Sequence, residues 1–451
     1  MTAATRGPSR WLTALLIAVV VSVCAGCGGS QHAALAPATS SAPSVQINGD
    51  PSDEVNQIAI KAITDLQAWW GSEYPKIYGH AYRPVTGGFY AVKPSSGPLP
   101  PCATAADDIA GNAFYCADAD DVAWDVEELM PSLRERFGDF VIPIVLAHEW
   151  GHAIQARANF QGETVTKELQ ADCFAGAWAA HAKDETFKPT DDDLDNALAG
   201  FLFLRDEPGT AKHDSTAHGS GFDRVNSFRT GFANGPQACQ AYVDGDPVVV
   251  EIPFKDAADA ARGGNAPYAD IVEGVPADLE DYWLQVFPAL TGKSWTPLRP
   301  VRAFDPTQQP DCGGQPTTGY LLFYCIPEDY VGFDNINAMP DIYRQGGDFA
   351  VATLIATQFG LAALTRAGQD PTDKTVSLRG DCMAGAWAAS VLLQDRPESN
   401  YRLSPGDLDK GVAALLLFRG ADDVGRQGHG SARIDAYRDG VYNGARACLT
   451  R

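Results

Sequence analysis

His148-Glu149-Trp150-Gly151-His152 is the part of this sequence best suited to chemistry. On a helix, residues four apart project from one face. His148 and His152 so placed can grip one Zn²⁺ through their imidazoles. Glu149 points beside that face, where a general base can reach a water held there. A surface helix with scattered polar groups is the bland alternative. It fits poorly, because the approach, residues 140–147, is apolar and reads as a buried helix with Asp139 available as its N-cap. Asn159 and Gly162 suit its end.

A catalytic zinc takes three protein ligands and keeps one position open. The next helix-like segment, residues 166–181 (TKELQADCFAGAWAAH), offers Thr166 as a cap. It also offers Glu168 and Asp172, four apart on one face. Either carboxylate could be the third ligand, and the other could orient a ligating His.

An internal repeat separates the two. Cys116 in AFYC matches Cys325 in LFYC, and Cys173 in DCFAGAWAA matches Cys382 in DCMAGAWAA. Cys239 matches Cys448, and all three pairs are 209 residues apart. Cys102 and Cys312 slip by one. At the same shift His148 becomes Thr357, Glu149 becomes Gln358, His152 becomes Leu361 and Glu168 becomes Ser377. Asp172 stays Asp381. The groups lost together are those a zinc reaction needs, so Glu168 is the expected third ligand. Asp172, kept where there is no metal to serve, is expected beside the site or in the fold. His218-Gly219-Ser220 recurs as His429-Gly430-Ser431, so a capping or core role is expected for His218.

HEWGHAIQ followed by ELQADCFAG, with FYC upstream and HGS…GF…C downstream, resembles the bacterial neutral zinc metallopeptidases of the short HExxH…ELQAD type. The resemblance covers most of residues 55–240. It implies a zincin-like fold, with an active-site helix against a small sheet and the third ligand on a following helix. It also implies zinc bound by His148, His152 and Glu168, with Glu149 as base. The expected fold class is therefore α+β, mainly helical: a zincin-like domain followed by a degenerate second copy. One zinc per chain is expected, as is a peptide or protein substrate. An envelope binding or scaffold protein is the alternative reading, with residues 265–451 contacting a further envelope partner.

The N-terminus reads as an export signal. Arg6 and Arg10 precede an apolar run, residues 11–23, that ends in Cys24-Ala25-Gly26-Cys27. The pattern resembles a bacterial lipoprotein signal, with cleavage before Cys27 and a lipid on its thiol. The run is too short to span a membrane comfortably. The expected layout is a signal peptide at 1–26, a flexible tether at 27–50 and the metallopeptidase domain at 51–245. A linker at 246–264 and the degenerate copy at 265–451 follow. The expected location is the extracytoplasmic face of the cell membrane, held by the lipid.

Eight cysteines lie beyond the signal, an even number that suits an oxidising compartment. Four per copy allow three pairings. The simplest is Cys102–Cys116 with Cys173–Cys239, and Cys312–Cys325 with Cys382–Cys448. The net charge of −23 repels phosphate backbones, so no nucleic-acid partner is expected. Thr291-Gly292-Lys293-Ser294 lacks the first Gly of a phosphate loop, with Phe287 in its place. No GxSxG elbow or GxGxxG turn is present. The acidic run 190–195 lacks the Gly and closing Glu of an EF-hand and reads as a helix start.

Overall fold

A computed structural model describes residues 45–298, 301–397, 399–418 and 424–451. The expected signal peptide, Cys27 and most of the expected tether lie outside those residues. The last residues of that tether do not hang free. Asn48 bridges Tyr90, donating to Phe89 O at 2.7 Å and accepting from Ala91 N at 2.9 Å.

The elements run α1 (Glu54–Tyr78), β1 (Gly88–Val92), β2 (Ala113–Cys116), β3 (Asp121–Asp125) and α2 (Leu129–Phe137). Next come α3 (Val141–Ala158), α4 (Thr164–Asp184), α5 (Asp191–Phe203), α6 (Gly221–Asn234) and α7 (Pro236–Gln240). A short α8 (Ala257–Ala261) lies within the expected linker. The order then recurs: α9 (Tyr268–Thr291), β4 (Arg302–Phe304), β5 (Leu322–Cys325), β6 (Tyr330–Asp334) and α10 (Ala338–Gly346). It ends with α11 (Asp348–Ala367), α12 (Val376–Leu393), α13 (Asp407–Leu417), α14 (Val424–Gln427) and α15 (Gly430–Cys448). The fold is mainly helical with two small sheets, the α+β class.

The two sheets have one topology. In order β1-β3-β2, β1 pairs parallel with β3 and β2 antiparallel. In order β4-β6-β5 the same directions recur. Val122 and Trp124 on β3 are fully buried, and Trp124 Nε1 donates to Asn56 Oδ1 on α1 at 3.1 Å. This bond satisfies the indole inside the core.

Helix α3 is apolar on nearly all sides and is buried between α1, α4 and β2. It starts one residue after Phe140, without a side-chain cap. Asp139, expected as the cap, instead accepts from Arg134 Nε at 2.7 Å. Asn159 ends the helix in the left-handed region, as expected of a C-cap. Gly151 lets α3 cross α4 closely, since a Cβ there would meet Ala171 Cα at 2.6 Å. Helix α4 begins at Thr164, so Thr166 is not its cap. Thr166 lies inside the first turn and donates to Asp244 Oδ1 at 2.8 Å. Helix α11, twenty residues long, has the length and hydropathy of a membrane span, but most of it is buried as a core helix.

Disulfides join Cys102–Cys116, Cys173–Cys239, Cys312–Cys325 and Cys382–Cys448. Cys173–Cys239 and Cys382–Cys448 tie equivalent places in the two halves.

Residues Val45–Arg451 form one compact unit. The halves meet through reciprocal contacts. Asp195 on α5 accepts from Gly430 N and Ser431 N at the start of α15, both at 2.7 Å. Asp409 on α13 accepts from Phe222 N at 2.7 Å, and from Gly221 N, at the start of α6. Arg229 pairs with Asp435, its Nε at 2.8 Å. Arg438, 209 residues after Arg229, donates to Asn226 Oδ1 at 2.6 Å, and Asn226 lies 209 residues before Asp435. The joint is thus close to two-fold symmetric, as in an isologous interface.

Candidate metal centre

The three expected ligands come together on α3 and α4. His148 Nε2 and His152 Nε2 are 3.2 Å apart. Glu168 Oε2 is 3.2 Å from His148 Nε2, and Oε1 is 3.4 Å from His152 Nε2. All three donor atoms lie within 4.8 Å of one another. Glu168 Oε2 is buried without a hydrogen-bond partner among the described residues, with His148 Nε2 3.2 Å away. Two ring nitrogens and one orphaned carboxylate oxygen aimed at a common point make a donor set that suits a divalent metal ion.

Neighbouring residues turn both rings toward that point. His148 Nδ1 is 2.7 Å from Asp172 Oδ1, so Nδ1–H donates to the carboxylate and the Nε2 lone pair faces inward. His152 Nδ1 is 3.0 Å from Gln155 Oε1. Gln155 Nε2 donates to Lys167 O at 2.6 Å, which leaves its oxygen as the acceptor for the ring. Asp172 is fully buried and is clamped by Arg224, with Nε at 2.8 Å from Oδ2 and Nη2 at 2.9 Å from Oδ1. The expectation of a residue beside the site or in the fold thus resolves to both roles. Asp381 is held by Arg433 in the same bidentate way, at 2.9 and 3.0 Å, with no imidazole bonded to it among the described residues.

Glu149 is buried, and its Oε2 accepts from Tyr115 N on β2 at 2.9 Å. Strand β2 is one of the two edges of its sheet. Burial pushes the Glu149 carboxyl up, with His148 and His152 pulling the other way. Burial also opposes a charged His148, but Asp172 and Glu168 outweigh it and push the ring up to about 10. Burial disfavours an ionised Glu168 too, yet the two imidazoles hold its carboxyl well below the usual range. Such a field draws positive charge to the Nε2 atoms, and a divalent cation satisfies it as a proton does.

Where the second half keeps the frame, the donors are gone. Thr357 donates to Leu354 O at 2.7 Å in its own helix, and Gln358 donates to Thr357 Oγ1 at 3.0 Å. Among the described residues no metal-capable group lies there. The other such group, Asp192, Asp195 and His429, sits at the joint between the halves, where Asp195 already caps α15. The run 190–195 begins α5 as expected, with Thr190 as N-cap and Asp193 completing a capping box.

His218 departs from expectation. It caps nothing, since Ser220 is the N-cap of α6. Its ring is half exposed, with Nδ1 3.3 Å from Asp206 Oδ1. Asp206 Oδ2 also accepts from His218 N and Gly219 N, each at 2.8 Å. Gly219 packs against Leu169 and Val165, on either side of Glu168 in α4. His429, by contrast, is the N-cap residue of α15, the position of Ser220. The HGS match is therefore two residues out of structural register, and His218 corresponds to Gln427.

Sequence reasoning did not find Arg224, Gln155, Tyr115 or Asp206. The repeat carried a signal for the first two. Arg224 and Arg433 are 209 residues apart, like Asp172 and Asp381. Gln155 becomes Leu364 and is lost with the histidine it orients. Tyr115 acts through its backbone, which leaves no trace in side-chain type.

A family described as "Putative neutral zinc metallopeptidase" matches residues 9–242, just over half of the chain. Similar curated proteins include an uncharacterized protein of Mycobacterium tuberculosis (strain H37Rv), 30% identical over 164 residues, which cover 30% of this chain and 56% of that protein. Another is the uncharacterized protein YpfJ of Escherichia coli K12, 27% identical over 225 residues, which cover 44% of this chain and 74% of that protein. The chain spans about half the length of the mycobacterial relatives. No solved structure matches. On the span matched, and with the HExxH and ELQAD residues gathered at one point, the chain belongs to the neutral zinc metallopeptidase family.

Proposed function

We propose that this protein is a zinc peptidase whose first half hydrolyses peptide bonds. The observation that carries the reading is the convergence of His148 Nε2, His152 Nε2 and the orphaned Glu168 Oε2 beside the buried carboxylate of Glu149. When bound, zinc supplies a Lewis acid and lowers the pKa of its water to about 7. His148, His152 and Glu168 would hold it. Glu149 takes the proton from the attacking water on a carboxylate oxygen and delivers it to the leaving amine. The Tyr115 amide keeps that carboxylate in place between the two transfers. His218, oriented by Asp206 and near enough to Glu168 to feel its charge, is the ring N–H that could serve a substrate carbonyl oxygen.

The two halves are read as copies of one domain, the second having lost its metal donors. The common sheet topology, the matched disulfides and the paired clamps Asp172–Arg224 and Asp381–Arg433 support this. The chain is read as anchored by a lipid on Cys27 at the outer face of the cell membrane, from its sequence alone.

The test is zinc content and cleavage of a mixed peptide library by the wild type and Glu149→Gln. About one zinc per chain in both is expected, with turnover lost by about 10²–10⁴-fold in the variant. Unchanged turnover would show that Glu149 is not the base. No zinc in the wild type would remove the catalytic reading.

A further inference from the structure

The second half holds no metal donors at the place of the first half's site, yet one of its side chains stands at the end of a chain of contacts into that site. Asp409 receives the first two amides of α6. Those amides belong to Gly221 and Phe222, and Arg224 follows within the same helical turn. Arg224 holds Asp172 through two hydrogen bonds and donates to Leu204 O at 2.8 Å through its third nitrogen. Asp172 in turn holds His148 Nδ1. Every member of this chain is buried: Asp409 is 4% exposed, Arg224 4% and Asp172 0%.

We propose that Asp409 is a positioning residue for the metal centre, through which the second half sets the orientation of His148. The inference rests on His148, His152 and Glu168 being the zinc ligands. The physical reason is geometric. The first amides of a helix have no partner within it. A carboxylate on them fixes where the helix begins and adds a favourable charge at its positive end. Moving that end moves the backbone of Arg224. Asp172 has no hydrogen-bond donors other than Arg224 and His148 among the described residues, so its plane follows the guanidinium. The plane of Asp172 sets the ring of His148, and ring orientation governs the Nε2 lone pair.

The near-symmetry of the joint supplies a matched control. Asp195 does for α15 what Asp409 does for α6, and α15 carries Arg433 and Asp381 to no metal donor. Asp409→Ala and Asp195→Ala both remove a carboxylate from the first amides of a helix at the same interface; Asp409→Ala also releases Arg205, whose Nε lies 3.1 Å from Asp409 Oδ2, and α6 keeps Ser220 as its own cap whereas α15 has no side-chain cap. Only the first lies on the path to His148.

The experiment is zinc affinity of the full chain by competition with a chromogenic chelator, with folding followed by near-ultraviolet circular dichroism. Asp409→Ala is expected to weaken zinc binding by about three- to tenfold, less than the 10–100-fold typical for a residue directly on a ligating His. Asp195→Ala is expected to stay within about twofold of wild type, because its effects end at Asp381. Should Asp409→Ala not fold, Asp409→Asn is compared with Asp195→Asn, which keeps one acceptor on each helix. Equal losses in the two variants, or none in the Asp409 variant, overturn the relay while leaving the zinc site standing. A wild type without zinc overturns the site itself, and the relay with it.

Discussion

Asp172→Asn is the substitution that asks most of the site. In the wild type, Oδ1 takes His148 Nδ1 at 2.7 Å and Arg224 Nη2 at 2.9 Å, while Oδ2 takes Arg224 Nε at 2.8 Å. An amide offers one oxygen and one NH₂, so one of these donors must face another donor. Arg224 also loses its counter-charge while only 4% exposed. Breaking a buried pair in this way costs about 3–5 kcal/mol of stability. Loss of the carboxylate behind a ligating His costs a further 10–100-fold in zinc affinity, or about 1.4–2.7 kcal/mol. The two effects are separable, because Asp381→Asn breaks the same pair with Arg433 and touches no His. Both variants should show a similar fall in thermal midpoint when metal-free. Only Asp172→Asn should lose zinc affinity in chelator competition beyond what the common destabilisation explains. If Asp172→Asn held zinc like wild type, or if Asp381→Asn lost it equally, the orienting role assigned to Asp172 would be wrong.

Three more expectations follow from the geometry. Glu168→Ala removes a ligand and should weaken zinc binding well beyond Asp172→Asn in the same assay; the reverse ranking would exchange their roles. Gly176→Ala should be strongly destabilising in chemical denaturation, since its Cβ would run into Phe228 O where α4 meets α6, whereas Gly71→Ala meets nothing within 4 Å and should gain up to about 1 kcal/mol. Burial pushes the Asp223 carboxyl up to about 7, with Ser220 and Val250 N only partly offsetting it and Asp409 nearby adding to the rise. The folded state therefore holds this proton more tightly than the unfolded chain, so its stabilising contribution is full at low pH and is lost as pH rises from about 4 to about 7. Asp223→Asn should flatten that part of a thermal-midpoint profile; an unchanged slope would mean that Asp223 ionises normally.

The candidate ligands were legible in the sequence because helical spacing is a strong constraint and because the repeat works as an internal comparison. His148, Glu149, His152 and Glu168 vanish together at a shift of 209, and the pairing of cysteines follows that shift apart from the one-residue slip at Cys102 and Cys312. What escaped was of two kinds. Helix starts at Val141 and Thr164 use no side-chain cap, so Asp139 and Thr166 pointed to caps that tertiary contacts had taken for other uses. The loop before α6 differs in length between the halves, so identity of three letters aligned His218 with His429 when the helix starts align His429 with Ser220. Asp195, read only as part of a helix start, is 5% exposed because its partner amides come from residues 235 and 236 positions away. No local pattern encodes a contact of that range.

The exchanged caps also bear on how the protein comes apart. Separating the halves would take from α6 and α15 the aspartates that hold their first amides, and would part Asp409 from Arg205. Each half on its own would therefore be a damaged object rather than a smaller version of the whole. Partial melting, with one half intact and the other unfolded, is penalised from both sides at once. The chain is thus built to denature as a single cooperative body, with one calorimetric transition across residues that the sequence divides in two.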